Sequence, residues 1–476
     1  MMNRKSLLSN MAIAFFAQGI SMFLSILQAL VIPKLLHIEQ FGYWQLYLFY
    51  ISYVGFFHFG LSSGVYLKMG GIPRDKMDKA SVKAQFTFGV TYQTIMSVVI
   101  AALGFIMNPG PDRTFVILQT SIYLVLQNAG TYMSNVLQSM NETKKSSYSV
   151  VVERVSFLIP LVVFMAIGVH SFRPYVFAYT VSTIVQLIYC IWNLRDFVGA
   201  PWLGFKTAAR QGWSSIKVGV NLMLANIASM LILGIARFFI DMVWGIEKFG
   251  KLSLIISLVN FFLAFVEQAS IVLFPALRQS NEKDIKSFFA TAQNIMSLLF
   301  PLIYVLYFPL VWLLGLWLPS YADSFPYLIL LLPVCIFDSK MSILCVTIFN
   351  VTRRERTMLK INVMSTFVSF ILTLIGVYLL HSITAVLCGV TLVIALRSIL
   401  SEAYITSLFN LKKSALSLGE LVLTIVFIAV ARLLPSLIAI VVYILAYALF
   451  IACFSKNAKA LIRQLHISKS ETASKG

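Results

Sequence analysis

The sequence predicts an all-α integral membrane protein with about 14 transmembrane helices, arranged as two pseudo-symmetric six-helix lobes plus two C-terminal helices. Three observations predict it. The 476 residues are 59% hydrophobic and only 12% charged, against roughly 25% charged residues in soluble globular chains, too few to cover a surface in water. Apolar segments of about 20 residues, the length that crosses a bilayer, recur along the whole chain. The basic residues gather in alternate connections between those segments.

Taken in order, the spans lie at 9–32, 44–67, 84–107, 114–138, 148–169, 174–193, 217–245, 251–277, 288–316, 326–350, 359–380, 383–408, 418–434 and 436–454. The first follows MMNRKSLLSN, which lacks a small-residue cleavage site, so it reads as a retained helix and not a signal peptide. The second carries a lone His58 among Phe56, Phe57 and Phe59, a pattern that suits a hydrogen-bonded helix contact better than a proton relay. The last two are short and divided only by Leu434-Pro435-Ser436.

Lys+Arg outnumber Asp+Glu by 37 to 18, a formal net charge of +19. In a soluble chain that excess would suggest nucleic acid. With the N-terminus inside, however, 27 basic residues fall in cytoplasmic segments and 5 in outer loops, namely Lys34, Arg113, Arg173, Lys248 and Lys251. That asymmetry expects both termini in the cytoplasm and no nucleic-acid partner.

The division expected is 1–193 as an N-terminal six-helix lobe and 194–216 as a cytoplasmic linker holding Gly199-Ala200-Pro201. Residues 217–410 form the second lobe, 411–455 two additional helices and 456–476 a basic cytoplasmic tail. A repeat supports it. Ile38-Glu39-Gln40-Phe41-Gly42 recurs as Ile246-Glu247-Lys248-Phe249-Gly250, 208 residues later. Six spans separate the copies, so the halves run in the same sense, and a substrate would bind between them.

Ionisable residues within spans rarely face lipid. Here they are Glu153, Arg154, Arg237, Asp241, Glu267, Asp338, Lys340, Arg397, Glu402 and Arg432. Asp338 lies about 18 Å from the outer start of its helix, near mid-bilayer, and Arg397 is at similar depth. Arg237 and Asp241, four apart, can pair. That pair either lets the helix insert or orients Arg237 on a cavity. Asp338 and Lys340 diverge by roughly 200° around a helix, so each needs its own surroundings. Arg154 sits near the cytoplasmic end and could instead snorkel there, as Arg432 could at the outer end. The five Cys form no CxxC, and no GxxxxGK[ST] or HExxH occurs. The outer acids Glu39, Asp112, Glu247 and Asp323 are isolated, which speaks against glycosyl transfer chemistry.

Short motifs then point to a family. They are Asn10, Gln28 and Pro33-Lys34-Leu35-Leu36, then Phe41-Gly42-Tyr43-Trp44 and Phe59-Gly60-Leu61 before Lys68. In the second half they are Arg237-Phe238-Phe239-Ile240-Asp241, Phe249-Gly250 and Phe274-Pro275-Ala276-Leu277. With these, nearly the whole chain resembles the polysaccharide flippases of the multidrug/oligosaccharidyl-lipid/polysaccharide exporter superfamily, and most closely the O-antigen (Wzx-type) flippases. Lys251 replaces the tyrosine usual after the second Phe-Gly.

The resemblance implies a transporter and not an enzyme. It implies two lobes in a V that move an undecaprenyl-pyrophosphate-linked glycan across a bacterial inner membrane by alternating access. The candidates to face that pyrophosphate in a central cavity are Arg237, Arg397, Lys340, Arg154 and Lys34, within a set of intramembrane charges of both signs. Asp241, Glu267 and Asp338 become their charge partners or coupling groups. No catalytic residue, metal or cofactor is implied, and proton or sodium coupling stays open. Membrane lipids and a polysaccharide polymerase are the partners it suggests. Two other classes remain: a multidrug or cation antiporter of the same layout, and, third, a membrane polysaccharide polymerase, which would want a large outer loop.

Overall fold

The computed structural model describes residues 16, 19–24, 26–107, 109–278, 280–411, 415–455 and 457, leaving out the side chains at 221, 222, 225, 265, 267–276 and 278. Among the described residues every regular element is a helix. In order, these are α1 (Ile32–Leu35), α2 (Ile38–Tyr53), α3 (Leu61–Met69), α4 (Lys79–Met107), α5 (Pro111–Ser139), α6 (Thr143–Ile167), α7 (Phe172–Asn193) and α8 (Arg195–Val198). They continue with α9 (Phe205–Arg278), α10 (Glu282–Leu299), α11 (Tyr307–Trp317), α12 (Pro326–Lys340), α13 (Thr347–Val351), α14 (Glu355–Leu374), α15 (Ile383–Leu408), α16 (Leu416–Leu433) and α17 (Ser436–Cys453).

The ends follow local chemistry. Pro33, Pro111 and Pro326 sit in the first turns of α1, α5 and α12, where no backbone donor is lost. The Asn281 side chain caps α10 by accepting from the Asp284 N–H at 2.9 Å, and Ser382 caps α15 through Ala385. Gly168 closes α6 in the left-handed conformation.

Ten helices are long and apolar enough to cross a membrane, or eleven if the bent pair α2–α3 is one span. The chain is a multi-pass membrane protein. The fourteen spans expected from hydropathy exceed that number for three reasons. Pro111–Ser139 is not among the apolar helices, because it carries Gln119, Thr120, Gln127, Asn128, Thr131 and Ser134. The first span runs partly outside the described residues. The spans expected at 217–245 and 251–277 both lie within Phe205–Arg278, which is two helices meeting at a non-helical kink at Gly245, φ 79°, and counts once among the ten.

The second expected span is broken rather than straight. Phe59 and Gly60 take φ of 48° and 88°, and the helix bends by 53°. A break inside a membrane frees backbone groups that need partners. His58 Nδ1 accepts the Gly60 N–H at 2.8 Å, and the Asn128 amide donates to the Val54 carbonyl at 2.9 Å. His58 therefore serves the backbone at the bend.

The chain forms two compact units. One comprises residues up to Ile227 together with Trp244–Leu254; the other comprises Ala228–Val243 and the chain from Ile255. In the first, α5 packs against α2, α3, α4, α6 and α7. Beside it an aromatic core holds Trp44 stacked on Phe157 at 6.0 Å. In the second, α12 is an enclosed helix: 78% of the most apolar stretch of Pro326–Val351 is buried, against 17% for Ser436–Cys453, whose Leu437, Ile438, Val441, Leu445 and Leu449 are exposed.

Within the first unit the two copies of the repeated pentapeptide touch. A Cβ on Gly42 would lie 2.5 Å from the Ile246 carbonyl oxygen, and one on Gly250 would lie 2.7 Å from Gly42 Cα. Phe49 packs edge-on to Phe249 at 5.7 Å.

Candidate functional site: buried charges and a basic cavity

Two ion clusters occupy the second unit, both built on α12 and α15. Arg397, 3% exposed, pairs with Asp338, whose side chain keeps 33% of its surface open. The guanidinium also donates to Ser229 Oγ at 2.6 Å. Two residues along α12, the other face of the helix carries Lys340. Its ammonium lies 2.7 Å from Glu402 Oε1, 2.6 Å from Glu420 Oε2 and 3.1 Å from Ser297 Oγ. An ammonium has three donors, and all three are used. Lys340 and Glu420 have no exposed side-chain surface, and Glu402 has 3%. Gln293 and Ser417 complete the cluster by donating to Glu402 Oε2 at 3.0 and 3.1 Å.

The divergence of positions 338 and 340 on a helix thus sends each charge to a different partner. The structure encloses Lys340 completely, so it meets carboxylates and not a cavity. A buried cation is tolerated in lipid when opposite charge and hydrogen bonds surround it. Glu420 had no place among the expected site residues. It stands at the edge of the apolar run Leu416–Leu433, where a lone acid resembles a helix end. The signal available was its isolation in an otherwise apolar segment.

The other expected residues are spread through the molecule. Arg154 donates to the Tyr179 hydroxyl at 3.0 Å, beside Glu153, which is 5% exposed. Lys34 is exposed in the last turn of α1. Arg237 is half-buried and Asp241 is 7% exposed, one turn apart on α9. The Glu267 side chain lies outside the described residues.

The first unit holds a polar cavity of about 430 Å³ lined by Lys68, Met69, Ser81, Gln85, Arg210, Gln211 and Ser214. Lys68 Nζ donates to Ser214 Oγ at 2.7 Å, and Ser81 Oγ is bonded to Gln211 at 2.9 Å. Two cations and several neutral donors suit an anionic group such as a phosphate. Hydropathy places Lys68 in a loop, and no sequence spacing ties it to Arg210, 142 positions on.

At the same basic end a charge network ties three connections together. Arg74 reaches Glu142 at 2.9 Å, Asp196 at 2.5 Å and the Asn193 carbonyl at 2.7 Å, while Lys79 reaches Asp196 at 2.8 Å. Partial burial pushes the Asp196 carboxyl up, but bonds from Arg74 and Lys79 outweigh it and hold the group down at about 2. Glu142 is likewise lowered by Lys145 and Arg74 against its own burial. Among the described residues no set of three or more His, Cys, Asp or Glu could hold a metal ion.

No protein-family model matches the chain, and no curated protein is similar to it in sequence. Solved structures are similar in fold. The lipid II flippase MurJ in an inward closed conformation matches over 95% of this chain and 99% of its own, with a TM-score of 0.65 at 13% identity. An inward-facing multidrug resistance MATE family transporter of the MOP superfamily matches over 82% of this chain and 94% of its own, with a TM-score of 0.56 at 13% identity. The chain has the fold of MOP-superfamily transporters. A MATE protein in complex with MaD3S matches over 85% and 96%, with a TM-score of 0.52 at 13% identity.

Proposed function

We propose that this protein is a flippase for a lipid-linked anionic glycan. The cargo we infer is an undecaprenyl-pyrophosphate-linked oligosaccharide, an O-antigen or similar surface polysaccharide unit. It would be moved from the cytoplasmic to the outer leaflet of a bacterial inner membrane by alternating access. The observation that carries the reading is the match to a lipid II flippase over 95% of the chain, a protein whose cargo is itself a lipid-linked glycan. The cavity bearing Lys68 and Arg210 supports it, since a pyrophosphate needs cationic partners while it crosses. In this reading Arg237, Arg397, Arg154 and Lys34 supply further charge along the path, and Lys340 holds helices together.

The lobes of this reading are parallel repeats at 1–193 and 217–410. Moving Lys79–Met107, Thr143–Ile167 and Phe172–Asn193 along by the 208 residues between the pentapeptides brings them onto Glu282–Trp317, Glu355–Leu379 and Ile383–Leu408 in turn, which supports a duplication.

A second reading, a multidrug or cation antiporter, is favoured by the TM-score of 0.56 to a MATE transporter. Buried arginines argue against organic cations, since like charges repel strongly where the dielectric is low. Deleting the gene decides between the two. The flippase reading expects lipid-linked repeat units to accumulate and surface polysaccharide to disappear, with dye efflux unchanged. Intact polysaccharide with raised dye retention would establish the antiporter instead.

A further inference from the structure

The cluster of Lys340, Glu402 and Glu420 does not balance. Two carboxyls and one ammonium meet in a site with almost no exposed surface. Adding the neighbouring Arg397–Asp338 pair contributes one charge of each sign and leaves the excess unchanged. Two carboxylates that share one cation in a dry site resist ionising together, because an uncompensated buried charge is costly.

The hydrogen bonds distinguish the two acids. Both oxygens of Glu402 are engaged, Oε1 by Lys340 and Oε2 by Gln293 and Ser417. Glu420 receives Lys340 and Ser297 on Oε2 alone, at 2.6 and 3.2 Å. Oε1 of each acid is buried and without a hydrogen bond, but that of Glu402 lies 2.7 Å from the Lys340 ammonium, whereas the Lys340 and Ser297 bonds of Glu420 both fall on Oε2. An ionised oxygen left without a donor costs more than a neutral hydroxyl in the same place.

Other titratable groups come close from each packed element. Tyr304 precedes α11, Tyr443 is on α17, and Cys345 follows α12. Tyr304 is bonded to Thr424 and Tyr443 donates to the Pro301 carbonyl, so neither phenol serves the carboxyls. These ordinarily neutral groups cannot cancel a full charge.

We propose that this cluster is a binding site for a single proton, carried on Oε1 of Glu420, and that the proton keeps α16 docked on α10, α12 and α15. Loss of the proton puts a net negative charge in a dry site, and admitting water by loosening α16 relieves it. Lys340 already sits between the carboxyls where a metal cation would go, so the ligand is a proton and not sodium. The site needs no cargo, so it stands or falls apart from the flippase reading.

Infrared spectroscopy on the purified full chain in lipid nanodiscs at pH 8 tests it. The wild type should show the C=O band of a protonated, dry carboxyl, lost in E420Q. E420Q replaces a neutral group by a neutral group and should melt at the wild-type temperature, whereas E402Q should melt lower. Absence of the band from the wild type overturns the proposal, as does its persistence in E420Q or a melting point that rises only with added sodium. E420Q melting well below E402Q would overturn the assignment to Glu420. A band that behaves as expected in a protein that moves no glycolipid would leave the proton site standing and remove the cargo alone.

Discussion

Arg397 uses its fork. One nitrogen reaches Ser229 and another reaches Asp338, so the side chain ties α9, α12 and α15 together in the second unit. Lysine carries the charge but offers a point, not a planar pair of donors. On the flippase reading, R397A should abolish surface polysaccharide export at unchanged protein level, and R397K should restore only part of it. Full export by R397K in a polysaccharide assay would show that charge alone matters. Asp196 gives a residue-scale prediction about pH. Its folded value of about 2 lies below the ordinary 3.8. The group therefore stabilises the fold above about pH 4, and the contribution fades as pH falls toward 2. Thermal unfolding in detergent should show wild type losing its advantage over D196N across that window, with a constant difference above it.

Elements depend on contacts that no single helix reveals. The stretch 114–138 satisfies a length criterion, but α5 is an interior helix whose amides and hydroxyls face neighbouring helices. Its Asn128 supplies the bond required by the bend in α2–α3. His58 was visible in the sequence as a lone polar group, and Gly60 only as part of the Phe59-Gly60-Leu61 motif. Their joint role depended on a break that apolar periodicity does not encode. Close crossings behave similarly. A Cβ on Gly219 would lie 2.1 Å from the Gly60 carbonyl oxygen and 2.7 Å from the Gly64 nitrogen, both rigid backbone. G219A should therefore cost about 1–3 kcal/mol, as overpacking does. G315A is the control, since nothing lies within 4 Å of a Cβ there, and it should be neutral or slightly stabilising. Melting temperatures of the two variants in the same detergent check this.

At the scale of the whole molecule, the 27-to-5 distribution of basic residues predicts an orientation that the fold does not record. Reporter fusions at Lys206 and at the C-terminus should both read cytoplasmic. An outside signal at either would overturn the positive-inside assignment and, with it, the direction of transport. The basic cavity at Lys68 and Arg210 makes a matching expectation. Replacing both with Gln should weaken binding of a pyrophosphate-bearing lipid by well over tenfold while leaving neutral lipid binding unchanged, measured by titration in nanodiscs.

The sequence by itself determined the solvent and the class of this protein. Those follow from composition and from where charges fall along one dimension, and the bilayer reads them residue by residue. The repeat at 38–42 and 246–250 was legible for the same reason. Tertiary structure alone decided which charges are spent on one another. Asp338 could have served Arg237 or Arg397, and Lys340 could have lined a path. The choice came from helices 60 to 80 positions apart, which brought Arg397 to one face of α12 and Glu402 with Glu420 to the other. In a low dielectric a charge goes to whichever opposite charge lies within reach, and packing, not spacing along the chain, sets that reach.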